Sequence, residues 1–471
     1  MRQLRIAMIG QKGLPATFGG IEHHVEEIGH RLAQRGHRVL VYNRRNYARA
    51  DKLRYRGMTV RSVPTIHRKH LDAIVHSSLA TLHATAFGAD VIHYHALGPG
   101  VPAILPRYTG RARVVLTVHG LDAERSKWDG AARACLHGAE WLSARVPDAT
   151  IVVSKELMRH YAHRHHRATW YIPNGVDEPL PSSLSDIEAL GLRPGGYILF
   201  VGRLVPEKAP DLLIRAFRRV QGDARLVIAG GSCFTDEYVR HLRHLAAADP
   251  RVMFPGYVFG AQLSALYANA AAFVLPSMLE GLPLTLLEAA SHGTPIVASD
   301  ISPHVEVLGA EGPGRRLSPA GDEEALALTL AQVLGEQDTE RRAARCLREQ
   351  VLRAYSWDDV VEATESVYRA VLADVREPPP GWQYRRDHIA RSDPSGFGDI
   401  LVGAPTEGAV RLTTSPMLVR ETLVQPARLS SADHETAPVH PTPDPELLPN
   451  SESIPAGSRV PRVTPSTPGQ T

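Results

Sequence analysis

Short apolar runs alternate with longer amphipathic segments along most of the chain. The run "LRIAMIG", residues 4–10, ends in a glycine and is typical of a buried parallel strand. A glycine-rich loop, "QKGLPATFGG", follows, and apolar residues then recur at helical spacing from Ile21 to Leu32 until Gly36 ends the helix. The run "HRVLVYN" is the next strand. The pattern predicts a strand, loop, helix and strand unit at the start of the chain.

The same alternation continues in two sets, separated by a segment rich in Pro, Asn, Gly and Ser. The first set continues with "DVIHYH", "RVVLTVHG" and "ATIVVS", and the second runs from "YILFVGRL" through "ARLVIAGG", "AAFVLPS" and "PIVASD". Strands that alternate with helices indicate parallel, doubly wound sheets. We therefore predict an α/β fold with two Rossmann-like domains, residues 1–175 and 196–355, joined by a linker over 176–195. Ligands of such sheets bind at the carboxyl ends of the strands, so two facing domains would form a deep cleft.

Two further segments follow the second domain. The stretch "SWDDVVEATESVYRAVLAD" has helical periodicity, and we predict a helix over 356–375 with Ser356 as its N-cap. From "REPPPGW" onward the composition shifts to Pro, Ser, Thr and small polar residues, and the periodicity fades. Such a segment buries too little apolar surface to offset its ordering entropy, so we predict a disordered C-terminal tail over 376–471.

Composition and charge narrow the class of protein. Of the 471 residues, 43% are hydrophobic and 22% are charged, as in ordinary soluble globular proteins. A formal charge of +3 is too small to indicate nucleic acid as a partner. The three cysteines are far apart and form neither a disulfide framework nor a zinc spacing, which favours a reducing cytoplasm. The first apolar run is too short for a signal peptide, and no apolar run reaches about 18 residues, so we predict a cytoplasmic protein without a membrane span.

The stretch "EGLPLTLLE", residues 280–288, puts a carboxylate at each end of an apolar segment. Proline is favoured in the first turn of a helix, so we predict a loop from Glu280 to Leu282 and a helix from about Pro283. The unpaired N–H groups of such a first turn can seat a diphosphate. Glu280 on the loop and Glu288 inside the helix flank this seat with acceptors for hydroxyl groups. The layout fits a nucleotide sugar, in which a diphosphate joins a sugar to a ribose.

A diphosphate also needs positive charge. The stretch "GRLVPEKAP" places Arg203 and Lys208 on a loop at the carboxyl end of a strand of the same domain. Arg binds phosphate through paired N–H groups, and Lys acts as a point charge. No Asp-x-Asp pair, which often holds Mg or Mn, stands near this loop. We predict that the two cations and the helix N-terminus replace a divalent metal and that no cofactor is needed.

These motifs, in this order, resemble the retaining glycosyltransferases of family 4, which have the GT-B fold. The Glu-x7-Glu pair stands here as "EGLPLTLLE", the phosphate-binding Arg and Lys as "VGRLVPEK", and the interdomain segment as "IPNGVD". "GQKGLPATFGGIEHHVEE" and "TVHGLDAERSKW" are similar to a subgroup common in bacterial surface-polysaccharide gene clusters. The resemblance covers residues 4–375. Ala209 departs from it, because many members have glycine after the Lys.

The resemblance implies a role for each matching residue of the donor site. Glu280 would bind the sugar hydroxyls near the reaction centre, and Glu288 would bind the ribose. Arg203 and Lys208 would neutralise the leaving diphosphate of a nucleotide-sugar donor. The other donor-binding positions implied lie between the two glutamates: Gly281, Leu282 and Pro283.

The resemblance also implies how the first domain contributes. Gly19 and Gly20 would let its first loop approach the phosphate and the sugar, since no Cβ intrudes. His119 would face the sugar across the cleft, and the helix over 356–375 would cross back to this domain. The implied acceptor is a glycan or lipid-linked glycan in the cytoplasmic leaflet. The basic segment over 43–70 is a candidate for docking on the anionic inner face of the plasma membrane, and a solvated loop is its other interpretation.

Other classes stay open on the sequence alone. A nucleotide-sugar epimerase of the same fold would turn over the donor without an acceptor, and a non-catalytic sugar-binding protein would turn over nothing. An NAD-dependent oxidoreductase is disfavoured, because "GQKGLPATFGG" lacks the G-x-G-x-x-G spacing and no acidic residue ends the next strand. The cluster "HYAHRHHR", residues 160–167, matches no standard metal motif and contains no carboxylate, so we predict an exposed basic helix face there.

Overall fold

The structure is a computed structural model, and it describes residues 2–16, 19–47, 53–66, 72–110, 112–121, 130–232, 235–380, 382 and 384. Within these residues the chain forms two sheets, one of eight strands and one of six. No helix of this part of the chain is both long and apolar enough to cross a membrane.

The first sheet is parallel except for one edge strand. Its strands are β1 Arg5–Ile9, β2 Arg38–Arg44, β3 Leu53–Tyr55, β4 Met58–Val63, β5 Val91–His95, β6 Arg113–Val118, β7 Ala149–Val152 and β8 Trp170–Tyr171. Their order is β3-β4-β2-β1-β5-β6-β7-β8, and only the pairing of β3 with β4 is antiparallel. The helices between them are α1 Gly20–Gln34, α2 Asp72–Phe87, α3 Ile104–Thr109, α4 Gly130–Arg145 and α5 Lys155–His165. The central strands β1 and β5 are buried on both faces; the buried residues of β1 are all apolar, whereas β5 also carries His93 and His95.

The second sheet is entirely parallel. Its strands are β9 Tyr197–Val201, β10 Arg225–Ala229, β11 Val252–Gly256, β12 Ala272–Leu275, β13 Ile296–Ser299 and β14 Arg315–Ser318, in the order β11-β10-β9-β12-β13-β14. The remaining helices are α6 Ser185–Glu188, α7 Pro210–Arg218, α8 Asp236–Ala246, α9 Gly260–Asn269, α10 Leu284–Ser291, α11 Ser302–Leu308, α12 Glu323–Gly335, α13 Gln337–Ala354 and α14 Trp357–Leu372.

The strand order of each sheet reverses beside its first strand. In the first sheet β1 lies between β2 and β5, and in the second β9 lies between β10 and β12. Where the strand order reverses, the loops that follow the two neighbouring strands run to opposite sides of the sheet. A crevice forms between these loops at the carboxyl ends of the strands. The loop after β9 and the loop after β12 therefore start next to each other. The predicted pair of doubly wound α/β domains is the observed architecture.

The last helix of the fold packs on the first sheet. The Tyr368 hydroxyl of α14 lies 2.7 Å from Nδ1 of His93 in β5, and the Glu365 carboxylate lies 3.0 Å from Nε2 of His37. The Ser356 hydroxyl caps α14 by accepting from the Asp358 N–H. The predicted helix over 356–375 thus has its N-cap as expected and contacts residues of the first sheet.

The structure adds detail at two of the predicted segments. The predicted linker, 176–195, contains the short helix α6. The predicted tail begins with folded residues: the Trp382 ring meets Trp170 edge to face at 4.9 Å, and Tyr384 is buried beside Tyr171. A start of the tail at 376 is therefore too early, because these aromatic side chains find apolar partners on β8 that local composition does not reveal. Residues 385–471 lie outside the described part of the chain.

Candidate active site

The loops after β9 and β12 bring two predicted site residues into direct contact. Lys208 Nζ lies 2.6 Å from Glu280 Oε1, and the Ser277 hydroxyl donates to the same oxygen at 2.8 Å. The Lys208 and Glu280 side chains are only 11% and 12% exposed. Adjacent strands explain the meeting, because Lys208 and Glu280 each follow one of the two central strands of the second sheet. The cation predicted for the diphosphate is thus paired with the carboxylate predicted for the sugar.

The ion pair keeps Glu280 ionised. Burial alone would raise the pKa of this carboxyl, but the Lys208 ammonium outweighs it and holds the pKa below its usual value. The buried His304 ring lies near enough to add to this effect. His304 is itself neutral at pH 7, because burial lowers its pKa to about 4. A charged Lys–Glu pair at the crevice offers both a donor and acceptors to a bound ligand.

The N-terminus of α10 opens beside this pair. Pro283 is the N-cap residue in extended conformation, and the helix begins at Leu284, one residue later than predicted. Among the described residues no acceptor is found for the N–H groups of Leu284 and Thr285. The Thr285 hydroxyl is buried and likewise has no partner there. Unpaired donors at a helix N-terminus form a seat for an anion.

Arg203 supplies a second cation on the loop that also carries Lys208. It follows β9 by two residues and its side chain is partly exposed. Within the described part of the chain no carboxylate pairs with its guanidinium. Arg203 therefore differs from Lys208, whose charge is already balanced by Glu280. A guanidinium that has no carboxylate partner among the described residues is suited to binding a phosphate.

Glu288 lies on α10 and points toward α9. Its Oε2 accepts a hydrogen bond from the Tyr267 hydroxyl at 2.9 Å. Tyr267 is completely buried, and burial together with the neighbouring carboxylate raises its pKa. The phenol therefore stays protonated and donates to Glu288, which leaves the other carboxylate oxygen for a ligand. Glu288 and Glu280 thus have different partners, Tyr267 of α9 and Lys208 of the loop after β9.

The first domain contributes a wall of three imidazoles. His24 lies on α1, His95 ends β5 and His119 follows β6. His95 Nδ1 lies 3.3 Å from His119 Nε2, and the His24 ring meets the His119 ring edge to face at 4.6 Å. Burial lowers the pKa of His24 to about 4 and that of His95 well below its usual value. Neutral rings at pH 7 can accept hydrogen bonds from hydroxyl groups, and their nitrogen atoms, within 4.8 Å of one another, could also hold a metal ion.

Close contacts join the two walls. A Cβ on Gly281 would lie 1.9 Å from the His119 carbonyl oxygen, so glycine is required where the loops meet. Asn174 Nδ2 donates to the Leu282 carbonyl at 2.7 Å, and Asn174 Oδ1 lies 2.9 Å from His24 Nδ1. These contacts fix the donor loop against the imidazole wall.

The first loop of the first domain also reaches the second. A Cβ on Gly20 would stand 3.2 Å from Leu284 Cδ1, at the start of α10. Gly19 has φ +104, which glycine adopts without strain. The predicted glycines thus lie where α1 approaches the anion seat.

The structure adds site residues that the sequence did not single out. Ser277, Thr285 and Tyr267 contact or flank the two glutamates, and His24 and Asn174 connect the imidazole wall to the donor loop. Position in the motif would have found Ser277 and Thr285, since both lie within five residues of Glu280. Tyr267 and His24 carried no such signal, because only the packing of α9 on α10 and of α1 on the sheet brings them in.

The basic segment over 43–70 is only partly described; two of its described cations, Arg44 and Arg56, are paired with carboxylates, while Arg45 and Arg54 are exposed. Arg44 donates to Asp72 at 2.7 Å, and both side chains are buried. Arg56 donates to Glu26 and Glu27 at 2.9 and 2.8 Å. These two cations are neutralised within the fold. Residues 48–52 and 67–70 of the segment lie outside the described residues.

The fold and the site define a glycosyltransferase of the GT-B type. A family model described as "Glycosyl transferases group 1" matches residues 187–350, and one described as "Glycosyltransferase Family 4" matches residues 18–178. Together they span both domains. The chain belongs to the family 4 glycosyltransferases, and the family and fold predicted from the sequence are confirmed.

Relatives and solved structures agree with this class. Glycogen synthase of Mycobacterium tuberculosis is 28% identical over 410 residues, which cover 80% of this chain and 97% of the relative. The structure of sucrose-phosphate synthase from Thermosynechococcus elongatus has a TM-score of 0.69 at 22% identity and covers 79% of this chain and all of that one. Anabaena Alr3699/HepE in complex with UDP-glucose has a TM-score of 0.65 at 20% identity, covering 78% of this chain and 100% of that chain. At these identities the two structures support the fold alone.

Proposed function

We propose that this glycosyltransferase moves a sugar from a nucleoside diphosphate sugar to a hydroxyl acceptor in the cleft between its domains. The observation that carries the proposal is the anion seat at the N-terminus of α10, four residues after Glu280 of the Lys208–Glu280 pair, with Arg203 on the loop that carries Lys208. The seat suits the diphosphate, Glu280 suits the sugar hydroxyls, and Glu288 suits the ribose. Anabaena Alr3699/HepE, whose fold this chain shares, has been solved in complex with UDP-glucose, and we extend a nucleotide-sugar donor to this chain as part of the proposal.

The reaction we propose retains the anomeric configuration and needs no divalent metal. The bond from the sugar to the diphosphate breaks through an oxocarbenium-like state, and Arg203, Lys208 and the α10 N–H groups stabilise the departing charge. The acceptor hydroxyl attacks the same face, and the leaving phosphate oxygen takes its proton. Glu280 holds the sugar and keeps Lys208 in place, and His119 faces the reacting sugar from the neutral wall. No nucleophilic side chain is needed by this route.

The acceptor we propose is a glycan or lipid-linked glycan, used in polysaccharide biosynthesis on the cytoplasmic side of the plasma membrane. The neutral imidazole wall supports an uncharged hydroxyl acceptor, because a strong positive charge there would attract anions instead. Docking on the anionic inner face of that membrane would use cations of the segment over 43–70 other than Arg44 and Arg56, which are paired within the fold. Co-sedimentation with vesicles of anionic lipid tests it, and binding equal to that on neutral vesicles would contradict it.

The donor is tested by a thermal-shift screen of the purified chain with UDP, GDP, TDP, ADP and NAD, each with and without EDTA. A ligand at about 100 Kd stabilises the folded state by about 2.7 kcal/mol. We expect one diphosphate to raise the melting temperature, with a ligand-induced shift that EDTA does not change and that Glu288→Gln reduces. A response to NAD alone, or to no nucleotide, would overturn the proposal.

Product analysis distinguishes the proposed transferase from a nucleotide-sugar epimerase of the same fold. The donor identified in the screen is incubated with and without a glycan acceptor and followed by NMR. Transfer predicts a new glycosidic product only when the acceptor is present, with the anomeric configuration of the donor. Conversion of the sugar without an acceptor would favour the epimerase instead.

A further inference from the structure

Three histidines and a glutamate form a second cluster on α4 and α5, outside the proposed donor site. We call it the α4–α5 cluster; its members are His137, Glu140, His160 and His165. Glu140 Oε1 lies 2.6 Å from His160 Nε2 and 2.7 Å from His165 Nε2. His137 Nδ1 lies 3.6 Å from the other carboxylate oxygen. Two imidazoles and one carboxylate converge on a point, and a third imidazole stands at its edge.

The cluster corrects the expectation of an exposed basic helix face over 160–167. His163 and His166 are exposed as expected, but His160 and His165 turn toward α4. The carboxylate that the local sequence lacks comes from Glu140, some twenty residues earlier in the chain. Sequence spacing within one helix could not reveal a ligand set that two packed helices share.

The α4–α5 cluster is largely buried and is therefore not an ordinary surface ion pair. The Glu140 side chain is 3% exposed and that of His165 is 7% exposed, while His160 and His137 are 20% and 43% exposed. The carboxylate is therefore the most buried group of the cluster, and the imidazoles lie between it and the solvent. A buried carboxylate must be paired or must coordinate a cation.

The donor set matches a transition metal. Imidazole nitrogen and carboxylate oxygen together suit Zn²⁺, which binds at about 2.0–2.2 Å with its ligands roughly 3.3 Å apart in a tetrahedron. In the structure the ligand atoms lie within 4.8 Å of one another, and the two hydrogen-bond distances at Glu140, 2.6 and 2.7 Å, are shorter than the tetrahedral spacing. Each ring nitrogen needs to move about 0.6 Å away from the Glu140 oxygen to admit the ion. Arg164 Nε lies 3.7 Å from Glu140 Oε1, but this side chain is 56% exposed and is free to turn outward.

We propose that the α4–α5 cluster binds one Zn²⁺ ion, with Glu140, His160 and His165 as ligands and His137 or water as the fourth. The ion would tie the end of α5 to α4. The opposite end of α5 touches the second domain, where the Lys155 N–H donates to Glu306 of α11 at 2.8 Å. The site is structural and takes no part in the transfer of the sugar.

The test is zinc binding to the full chain, purified without a histidine tag and treated with a chelator. Isothermal titration with Zn²⁺ is expected to give one equivalent, and Co²⁺ in its place is expected to give the visible absorption of a four-coordinate ion. The double variant His160→Ala, His165→Ala is expected to lower the affinity at least about 100-fold. Glu140→Gln serves as a second variant, and circular dichroism of the metal-free forms shows whether each variant folds.

The matched control is the double variant His163→Ala, His166→Ala, which removes two exposed imidazoles from the same stretch. It is expected to bind zinc as the unchanged protein does. Absence of zinc binding would overturn the proposal, and so would equal loss in the control. Binding that survives in a folded His160→Ala, His165→Ala variant would place the ion elsewhere, for instance at His24, His95 and His119, and would also overturn it.

Discussion

The two walls of the cleft differ in charge. The wall from the second domain is charged: among the described residues it holds an ion pair, a guanidinium that no carboxylate pairs with and N–H groups without an acceptor. In the wall from the first domain, burial lowers the pKa of His24 and His95, so these two rings are neutral at pH 7. In the proposed reaction this difference would separate the leaving diphosphate, which needs positive charge, from the acceptor hydroxyl, which does not. Each wall can therefore be altered with a different expected result.

The largest effect is expected from the charged wall. Lys208→Met leaves the Glu280 carboxylate buried without its cation, which costs about 3 kcal/mol of the free energy of unfolding. It also removes charge from the leaving group, and we expect kcat/KM for transfer to fall about 1000-fold. Urea unfolding and a transfer assay measure the two effects.

The double variant Lys208→Met, Glu280→Gln separates stability from activity. With both charges gone, no carboxylate is left unpaired, so most of the lost stability should return. Activity should stay low, because neither the cation nor the sugar-binding carboxylate is restored. Recovery of activity in the double variant would show that the pair is only structural.

The neutral wall is expected to respond to acid. His24 has a pKa of about 4 in the folded protein and about 6.5 in the unfolded chain, so the unfolded state binds more protons between these values. Stability is therefore fully present above pH 6.5 and is lost as the pH falls toward 4, by up to about 3 kcal/mol for this residue. Urea unfolding at several pH values measures the slope, and His24→Gln should make it shallower. An unchanged slope in the variant would contradict a neutral His24.

A smaller effect is expected at the ribose end of the charged wall. Glu288→Gln keeps the shape of the side chain but weakens its hydrogen bonds to hydroxyl groups, and we expect donor affinity to fall about 30-fold. Tyr267→Phe removes only the hydrogen bond that orients Glu288, so a loss of less than about tenfold is expected. Isothermal titration of the donor measures both. A larger loss for Tyr267→Phe than for Glu288→Gln would reverse the assigned roles.

The smallest effect concerns the turn that carries Lys208. Ala209 has φ +47, a left-handed conformation that favours glycine, and it stands where many family members have glycine. Ala209→Gly should raise the free energy of unfolding by about 0.5 kcal/mol, since relief of strain exceeds the entropy cost of glycine. Activity should not change. A loss of stability would indicate that packing of the Ala209 methyl group stabilises the fold by more than the backbone strain destabilises it.

Much of the fold followed from periodicity and much of the site did not. Alternating strands and helices predicted the two doubly wound sheets, and Pro283 predicted the start of α10 to within one residue. The Lys208–Glu280 contact depends on β9 lying beside β12, which brings together residues 72 positions apart. Local patterns do not contain that strand order. The resemblance named both residues but gave them separate roles.

Histidines were the hardest residues to interpret from the sequence. The chain has 23 of them, and a single one carries little information. His24 and His95 matter because α1 and β5 place them beside His119, and His160 matters because α5 packs on α4. Only tertiary contacts distinguish these rings from exposed ones such as His163.

The central claim is that the α10 N-terminus, Arg203 and Lys208 form the seat of the donor diphosphate. It is tested most directly by isothermal titration of the preferred nucleoside diphosphate and its monophosphate into the unchanged protein and into Arg203→Ala. Arg193→Ala, at an exposed position where the guanidinium pairs with Asp223, is the control. We predict that the diphosphate binds at least about tenfold more tightly, a difference of about 1.4 kcal/mol, and that this preference disappears only in Arg203→Ala. Equal affinity for the two nucleotides, or a preference that survives in Arg203→Ala, would contradict the account.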